Sequence, residues 1–586
     1  MNAPPVWAVV GLDGDTATII TLDPEHAVRA RQSVPRVELA AHVQRRESDA
    51  GATGAIRWVW ADTARVYPML LAAGIRVGRC RDLRLCHAIL RDSALVPNGS
   101  DADAAARDLR AAQEWDAPPA AVAGAAPATL FDLDEAPPGR PGLPGGADAA
   151  LAELRRQWAA TAGSTDPRRL DLLCAAESAG ALVAAEMTAA GLPWDAAAHE
   201  AILTDVLGAR PAGGGVPSRI AEAAATVRSL LGDEKASLDS PPKLLRSLHR
   251  IGVPARSTGK WELREYEHPV VEPLLRYKAL MRLLTANGWA WLEEWVHDGR
   301  FRPVYIPGGV VTGRWASSGG GALQIPRRLR AAVSADPGWT FVVADVAQLE
   351  PRVLAAMSRD LALAAAARGQ DLYSGIVERG TVSTRAEAKV AMLGAMYGAT
   401  TGDSGRLVPR LRRAYPHAMA LVDAAARTGE QGGVVSTWLG RSSPEASAGW
   451  RGVQSLAADE NAGVAERDRA RRIAGDRGRF TRNFVVQGTA AEWALAWLAE
   501  VRLRLAALPP VPERDAAPRS GPAFSHAPHL AFFLHDELIV HTPHSVAEKV
   551  AEIVREAAAA AASLLFGDFP IDFPLDLHIS PTGEKG

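Results

Sequence analysis

Two periodicities divide the chain. Short runs of alternating or continuous apolar residues read as strands, and stretches with apolar residues three and four apart read as helices. Over residues 6 to 115 the runs VWAVVGL, ATIITL and AIRWVWA alternate with Ala/Leu/Arg-rich helical stretches, which predicts a small α/β domain. Residues 116 to 165 open with DAPPAAVAGAAPATLFDLDEAPPGRPGLPGG, rich in Pro, Gly and Ala, and read as a linker. From 166 to 300 the pattern is helical, as in DLLCAAESAGALVAAEMTAAGL and EPLLRYKALMRLLTANGWAWLEEWV. Beyond 300 the apolar strands PVYIPGGVV, WTFVVADV and AFFLHDELIV are separated by long helical stretches, so one sheet is assembled from distant pieces. The chain is therefore expected to be α+β, with about three or four domains.

The last strand region poses a chemical question. Residues 531 to 543, AFFLHDELIVHTP, place His535, Asp536 and Glu537 between two runs that belong in a core. A buried unpaired carboxylate is costly, so the triplet is a paired cluster, a tight solvated turn or a metal site. Some 190 residues earlier, WTFVVADVAQLEPRVLAAM carries Asp345 at a strand end, followed by Gln348, Glu350 and Arg352 on a helical segment. Asp345 alone would serve equally well as a helix cap. Two strand-end carboxylates, one from each segment, are what two-metal phosphoryl transfer requires.

Two helical stretches add cations. In STRAEAKVAMLGAMYG, Arg385, Lys389, Leu393 and Tyr397 recur every fourth residue and share one helix face. Two cations, an apolar residue and a ring in that order suit a triphosphate followed by a base, although an amphipathic helix with a basic edge has the same pattern. Of the 65 Lys and Arg residues only seven are lysine, so Lys389 stands out as a cation that can release a proton. In GRFTRNFVVQGTAAEW, Arg479, Asn483 and Gln487 again recur every fourth residue, and residues 464 to 482 hold seven Arg against three acidic residues. That stretch fits a phosphate-binding surface or a solvated face.

Bulk composition narrows little else. A net charge of −2 gives no global nucleic-acid signal, and Cys80, Cys86 and Cys174 match neither a disulfide framework nor a zinc site, which suits a reducing cytoplasm. The start MNAPPVWAVVG lacks a signal-peptide pattern, and no continuous apolar run of about 18 residues predicts a membrane span.

Together these segments resemble the family A DNA polymerases, the bacterial DNA polymerase I group. DVAQLEPR, RAEAKVAMLGAMYG and HDEL resemble motifs A, B and C of that family. TGRWASSGGGALQIPR (312 to 327) resembles its primer-template grip, RFTRNFVVQGTAAE a helix on the template side, and WLGR a fingers signature. Their order and spacing agree over about 170 to 586, and the whole chain looks like the compact actinobacterial type labelled 3′-5′ exonuclease/DNA polymerase. The resemblance implies a right-hand polymerase with an antiparallel palm sheet, preceded by a small RNase H-like exonuclease-type domain. Residues 1–115 would form that domain, 166–300 the thumb and its lead-in helices, and 301–586 palm and fingers, the fingers over about 360–475. Asp345 and Asp536 would hold two Mg2+ ions, with Mn2+ as a substitute, and Glu537 would support them. Arg385 and Lys389 would bind the triphosphate, Lys389 also protonating pyrophosphate, and Tyr397 would sit at the forming base pair. Glu350 would exclude ribonucleotides, and Gln348 would help hold the nucleotide. Thr312, Arg314, Gln324, Arg479, Asn483, Gln487 and His535 would contact DNA. A monomer is expected, adding dNTPs to a primer in repair or gap filling.

The sequence departs from the family at several points. Leu393 replaces an aromatic residue facing the nucleotide, Tyr373 replaces a phosphate-binding His, and Pro351 follows Glu350 where an aliphatic residue is usual. No metal ligand is lost. The N-terminal domain supplies no Asp-x-Glu in GLDGDTA or WVWADTA, so Asp13, Asp62, Asp82 and Asp92 read as surface or capping residues and proofreading is not expected. In PATLFDLDEA, the Leu130–Phe131 pair reads first as an incidental or locally packed apolar dipeptide, and it also resembles peptides that dock into the bacterial sliding clamp. The rival readings are a single-subunit RNA polymerase-like enzyme and a catalytically silent DNA-binding homologue. Glu350 and HDE favour DNA synthesis over the first, and the presence of Asp345, Asp536 and Lys389 over the second.

Overall fold

The computed structural model describes residues 6–50, 56–97, 104–116, 142–318, 320–321, 325–398 and 402–584. Contacts divide the chain into two units. The larger holds Met1–Gly191, Val304–Gly319 and Pro337–Ser580, and the smaller Leu192–Pro303, Gly320–Asp336 and Pro581–Gly586.

The larger unit begins with a five-stranded sheet, β1 (Val6–Asp13), β2 (Thr16–Leu22), β3 (Val28–Pro35), β4 (Ile56–Trp60) and β5 (Arg79–Asp82), in the order β3-β2-β1-β4-β5. The first three strands run antiparallel, and β4 and β5 are added parallel. Period-two alternation puts Ala8, Val10, Ile19, Trp58 and Trp60 in one core and Trp7, Val9, Ile20, Leu22 and Val59 in another. The second core is closed by the helix Ala147–Ala162, which occupies part of the stretch expected to be linker. Gly11 permits that approach: a Cβ there would lie 1.9 Å from the Ala147 nitrogen. Asp62 and Asp82 cap the helices Thr63–Ala72 and Leu83–Asp92, accepting from the amides of Ala64 and Leu85. Asp13 and Asp92 are exposed.

The apolar helix Pro167–Ala190 lies mostly in the interior of the same unit; among the described residues it alone has the length and composition of a membrane span. Its Glu186 receives Arg502 through Nε at 3.0 Å and Nη2 at 2.7 Å, the Tyr67 hydroxyl at 2.6 Å and Arg76 at 3.1 Å. This buried network ties the N-terminal sheet's surroundings to the 43-residue helix Val464–Ala506.

The smaller unit is mainly helical, with helices Ala196–Leu207, Ser218–Leu231, Pro241–Arg250 and Val271–Asn287. Three short strands, β6 (Leu192–Pro193), β7 (Val296–His297) and β8 (Arg300–Phe301), pair in the order β6-β8-β7. An aromatic group of Trp194, His199, Trp291 and Phe301 packs beside them.

In the larger unit, β9 (Val304–Ile306) pairs with β10 (Ala316–Ser318), and four further strands form an antiparallel sheet. These are β11 (Trp339–Val346), β12 (His529–Leu534), β13 (Glu537–Pro543) and β14 (Leu575–Ser580), in the order β12-β13-β11-β14. The continuous apolar runs of β11 and β13 follow from burial on both faces, between neighbours and helices. Helices Leu372–Glu378, Arg385–Tyr397 and Pro416–Glu430 share one apolar core with Phe484, Val485 and Val486 of the long helix.

Candidate active site

The site grows from a two-residue hairpin. β12 ends at Leu534 and β13 starts at Glu537, leaving His535 and Asp536 as the turn. The Asp536 amide donates to the Leu534 carbonyl at 2.7 Å across His535, whose φ is +58°. This three-residue γ-turn is sparsely populated and strained, a conformation found where surrounding structure enforces it. The sheet supplies that enforcement: Val346 donates its amide to the Asp536 carbonyl at 2.9 Å. In the same register Asp345 pairs with Glu537 on one side and Asp576 on the other. Asp345 and Asp536 therefore meet at one sheet end, both partly exposed, with Glu537 buried behind them. Among the described residues no three His, Cys, Asp or Glu side chains form a metal-holding group. Two adjacent carboxylates nevertheless fit Mg2+, which typically takes one or two carboxylates and completes its shell with substrate phosphates and water.

Beyond β11 the chain turns through Gln348, whose left-handed backbone (φ +51°, ψ +48°) starts the helix Leu349–Ser358. Gln348 Nε2 donates to Asp371 at 3.0 Å, and its Oε1 accepts from the Leu372 amide at 3.2 Å and from Arg352 at 3.4 Å. Asp371 also caps the helix Leu372–Glu378 and receives Arg385 through Nε at 3.1 Å and Nη2 at 2.8 Å. The Arg385 guanidinium lies 5.5 Å from the centre of the Tyr373 ring.

The helix Arg385–Tyr397 is capped by Thr384, which accepts from Glu387, and ends at Gly398 with φ +74°. It carries all four residues picked out by spacing. Lys389 is exposed and makes no ion pair or hydrogen bond with a described residue, while Leu393 is half-buried against the apolar core. Tyr397 donates its hydroxyl to Glu350 Oε2 at 2.6 Å, and Glu350 Oε1 forms an ion pair with Arg314. Glu350 is thus clamped from two sides. Desolvation and the Glu350 carboxylate both raise the Tyr397 pKa, keeping its hydroxyl a donor. His535 is exposed, yet desolvation on its inner side, then Arg314, lower its pKa against opposition from Glu350.

The proposed duplex contacts lie nearby in the chain's own contact network. Thr312 donates to Gln487 at 3.0 Å, which joins two residues separated by 175 positions. Asn483 Oδ1 is buried without a hydrogen-bond partner among the described residues. Arg479 is exposed and paired with Asp476. Gln324 and the Leu130–Phe131 pair lie outside the described residues.

Sequence reasoning missed a buried support behind the Thr312–Gln487 contact. Glu492 accepts from the Thr437 hydroxyl and from the Leu439 amide at 2.9 Å, and Arg441 pairs with Glu177 at 2.6 Å. Burial pushes the Glu492 pKa up to about 7 and raises that of Glu177. Gly313 and Gly488 admit this packing, because a Cβ on either would come within 2.5 Å of Arg441 or Thr437. The only available sequence signals were Glu492 within QGTAAE and Arg441 within WLGR. Asp371 was missed too; its one signal was a capping pattern, Asp followed three residues later by Ser.

Comparisons with known proteins point to one family. A family model described as DNA polymerase family A matches residues 215–582. The thermostable DNA polymerase I of Thermus aquaticus is 28% identical over 477 residues, 74% of this chain and 50% of that protein. That of Thermus filiformis is 28% identical over 358 residues, 56% of this chain and 38% of that protein. The chain thus spans half or less of the curated relatives it matches. A solved structure, the POL domain of Pol1 from M. smegmatis in complex with DNA primer-template and dNTP, superimposes with a TM-score of 0.65 at 18% identity, covering 99% of this chain and 95% of that one.

Proposed function

Because the chain belongs to DNA polymerase family A, we propose that it adds dNTPs to the 3′-OH of a primer paired to a DNA template. The observation that carries this reading is the register placing Asp345 against Glu537, with Asp536 in the adjoining turn and the cationic helix anchored beside them through Asp371 and Gln348. Asp345 and Asp536 would hold two Mg2+ ions, with Mn2+ able to replace them. Bound there, such ions supply Lewis acidity to the attacking and leaving oxygens. Arg385 binds the triphosphate, and Lys389 stands four residues on as a cation that can also yield a proton to pyrophosphate. Tyr397 and Arg314 hold Glu350 where a ribose 2′-OH would collide with it. Thr312, Arg314, Gln487, Asn483, Arg479 and His535 hold the duplex. The mycobacterial domain captured with primer-template and dNTP supports these partners.

The N-terminal domain in this reading lacks proofreading activity. Its most deeply buried carboxylates, Asp62 and Asp82, serve as helix caps, and β1 offers Ala8 and Val10 rather than acids to the core. A repair or gap-filling role and a tether to the sliding clamp through Leu130–Phe131 complete the proposal. Primer extension on gapped DNA with Mg2+ tests it, comparing the natural chain with Asp536→Ala and including a mismatched primer without dNTPs. Extension abolished by the substitution, with no shortening of the mismatched primer, is expected. Shortening that persists in Asp536→Ala would refute the reading of the N-terminal domain, and no extension by either protein would refute polymerase activity.

A further inference from the structure

Arg385 is held in a manner that leaves half of its recognition surface open. An arginine offers a side-on fork, Nε with one Nη2 proton, and an end-on fork, Nη1 with the other Nη2 proton. Asp371 takes the side-on fork, at 3.1 and 2.8 Å. The end-on fork makes no hydrogen bond with a described residue, and the side chain is 56% exposed. Asp371 is itself fixed, by the Ser374 amide at 2.8 Å and Gln348 Nε2 at 3.0 Å. Gln348 follows Asp345 by three residues, so the seat is built on the strand end that carries a catalytic carboxylate. Tyr373 supports the guanidinium on a ring only 6% exposed. Burial pushes its phenol pKa up to about 12, so it adds no negative charge beside an incoming phosphate.

We propose that Asp371, with Tyr373 beneath, is a positioning residue that aims the end-on fork of Arg385 at the triphosphate of the incoming nucleotide. This rests on the polymerase reading and deepens it. It also gives Tyr373 a role where the family's phosphate-binding histidine is missing: the ring replaces a direct contact with support for the neighbouring cation. A purely stabilising role for the Arg385 pair is a poor account, because an ion pair this exposed contributes little to stability.

Asp371→Asn is the decisive substitution. It keeps Oδ1 for the helix cap and Arg385 Nε, but sets an amide nitrogen against Arg385 Nη2 and Gln348 Nε2, which both lose their acceptor. Single-turnover incorporation should show the nucleotide Kd raised about tenfold, with the rate at saturation changing less than the Kd and duplex affinity unchanged. In an Arg385→Ala background the same substitution should add much less than it costs alone, the remainder coming from the lost Gln348 contact, because Asp371 acts mainly through Arg385. Inorganic tripolyphosphate binding by calorimetry, without primer or template, should weaken by a similar factor. An unchanged nucleotide Kd, or a loss that adds in full to that of Arg385→Ala, would overturn the proposal. Failure of the natural chain to extend a primer would sink the polymerase reading instead; in that case tripolyphosphate binding decides the seat alone, and equal binding by Asp371→Asn rejects it.

Discussion

The clamp on Glu350 makes a quantitative prediction about sugar selection. Glu350 accepts the Tyr397 hydroxyl at 2.6 Å on one oxygen and pairs with Arg314 on the other, so its carboxylate cannot swing away without breaking a contact. A ribonucleotide must either break one of these contacts or bind out of register. Losing one hydrogen bond to a charged group costs about 1.5–3 kcal/mol, a factor of roughly 10 to 150. Glu350→Ala should therefore reduce the preference for dCTP over CTP by at least about tenfold. Tyr397→Phe, which leaves the carboxylate but frees one side of it, should fall between the natural chain and Glu350→Ala. The assay is kcat/KM for dCTP and CTP opposite a template guanine, using one primer for all three proteins. Absolute rates will also fall, because Arg314 and Tyr397 lose their partner, so the ratio is the quantity to compare. A ratio within twofold of the natural chain in Glu350→Ala would refute the reasoning, as would a larger loss in Tyr397→Phe.

Three other outcomes follow from the same structure. Glu492 is raised from 4.5 to about 7, so the folded chain binds a proton that the unfolded chain releases; stability from this group is present below about pH 4.5 and is lost as pH rises to about 7. Glu492→Gln should flatten the melting temperature against pH between 5 and 7.5, leaving the slope that Glu177 contributes in the same direction; parallel profiles would contradict this. Arg502→Met strands Glu186, whose carboxyl is held down at about 2, and should destabilise the larger unit by about 3–5 kcal/mol in urea unfolding. Adding Glu186→Gln should recover part of that loss, and strict additivity would argue against the network. Gln487→Ala removes the acceptor of Thr312 and should weaken duplex binding about tenfold, measured by fluorescence anisotropy, while leaving the nucleotide Kd unchanged.

The sequence showed some of this architecture more clearly than the rest, for physical reasons. β11, β12 and β13 were legible because strands buried on both faces need continuous apolar runs. β3 was not, since Val34 is its only buried residue, and β14 was hidden by its half-exposed pattern LDLHIS. The helix Ala147–Ala162 was obscured by alanine, which packs closely yet gives little hydrophobic periodicity. Spacing alone placed Arg385, Lys389, Leu393 and Tyr397 on one face. It could not show that Arg385 turns to Asp371, 14 residues upstream, or that Glu492 caps a loop 55 residues away. Contacts of that kind depend on tertiary packing, and no local pattern records them.

The central claim is that Asp345 and Asp536 form one phosphoryl-transfer site. Single-turnover incorporation of one dNTP, run alongside duplex binding for Asp345→Asn and Asp536→Asn separately, tests it most directly. Each variant should bind primer-template as tightly as the natural chain and lose incorporation by at least about a thousandfold. Incorporation that survives either substitution at a tenth of the natural rate or more would contradict the account.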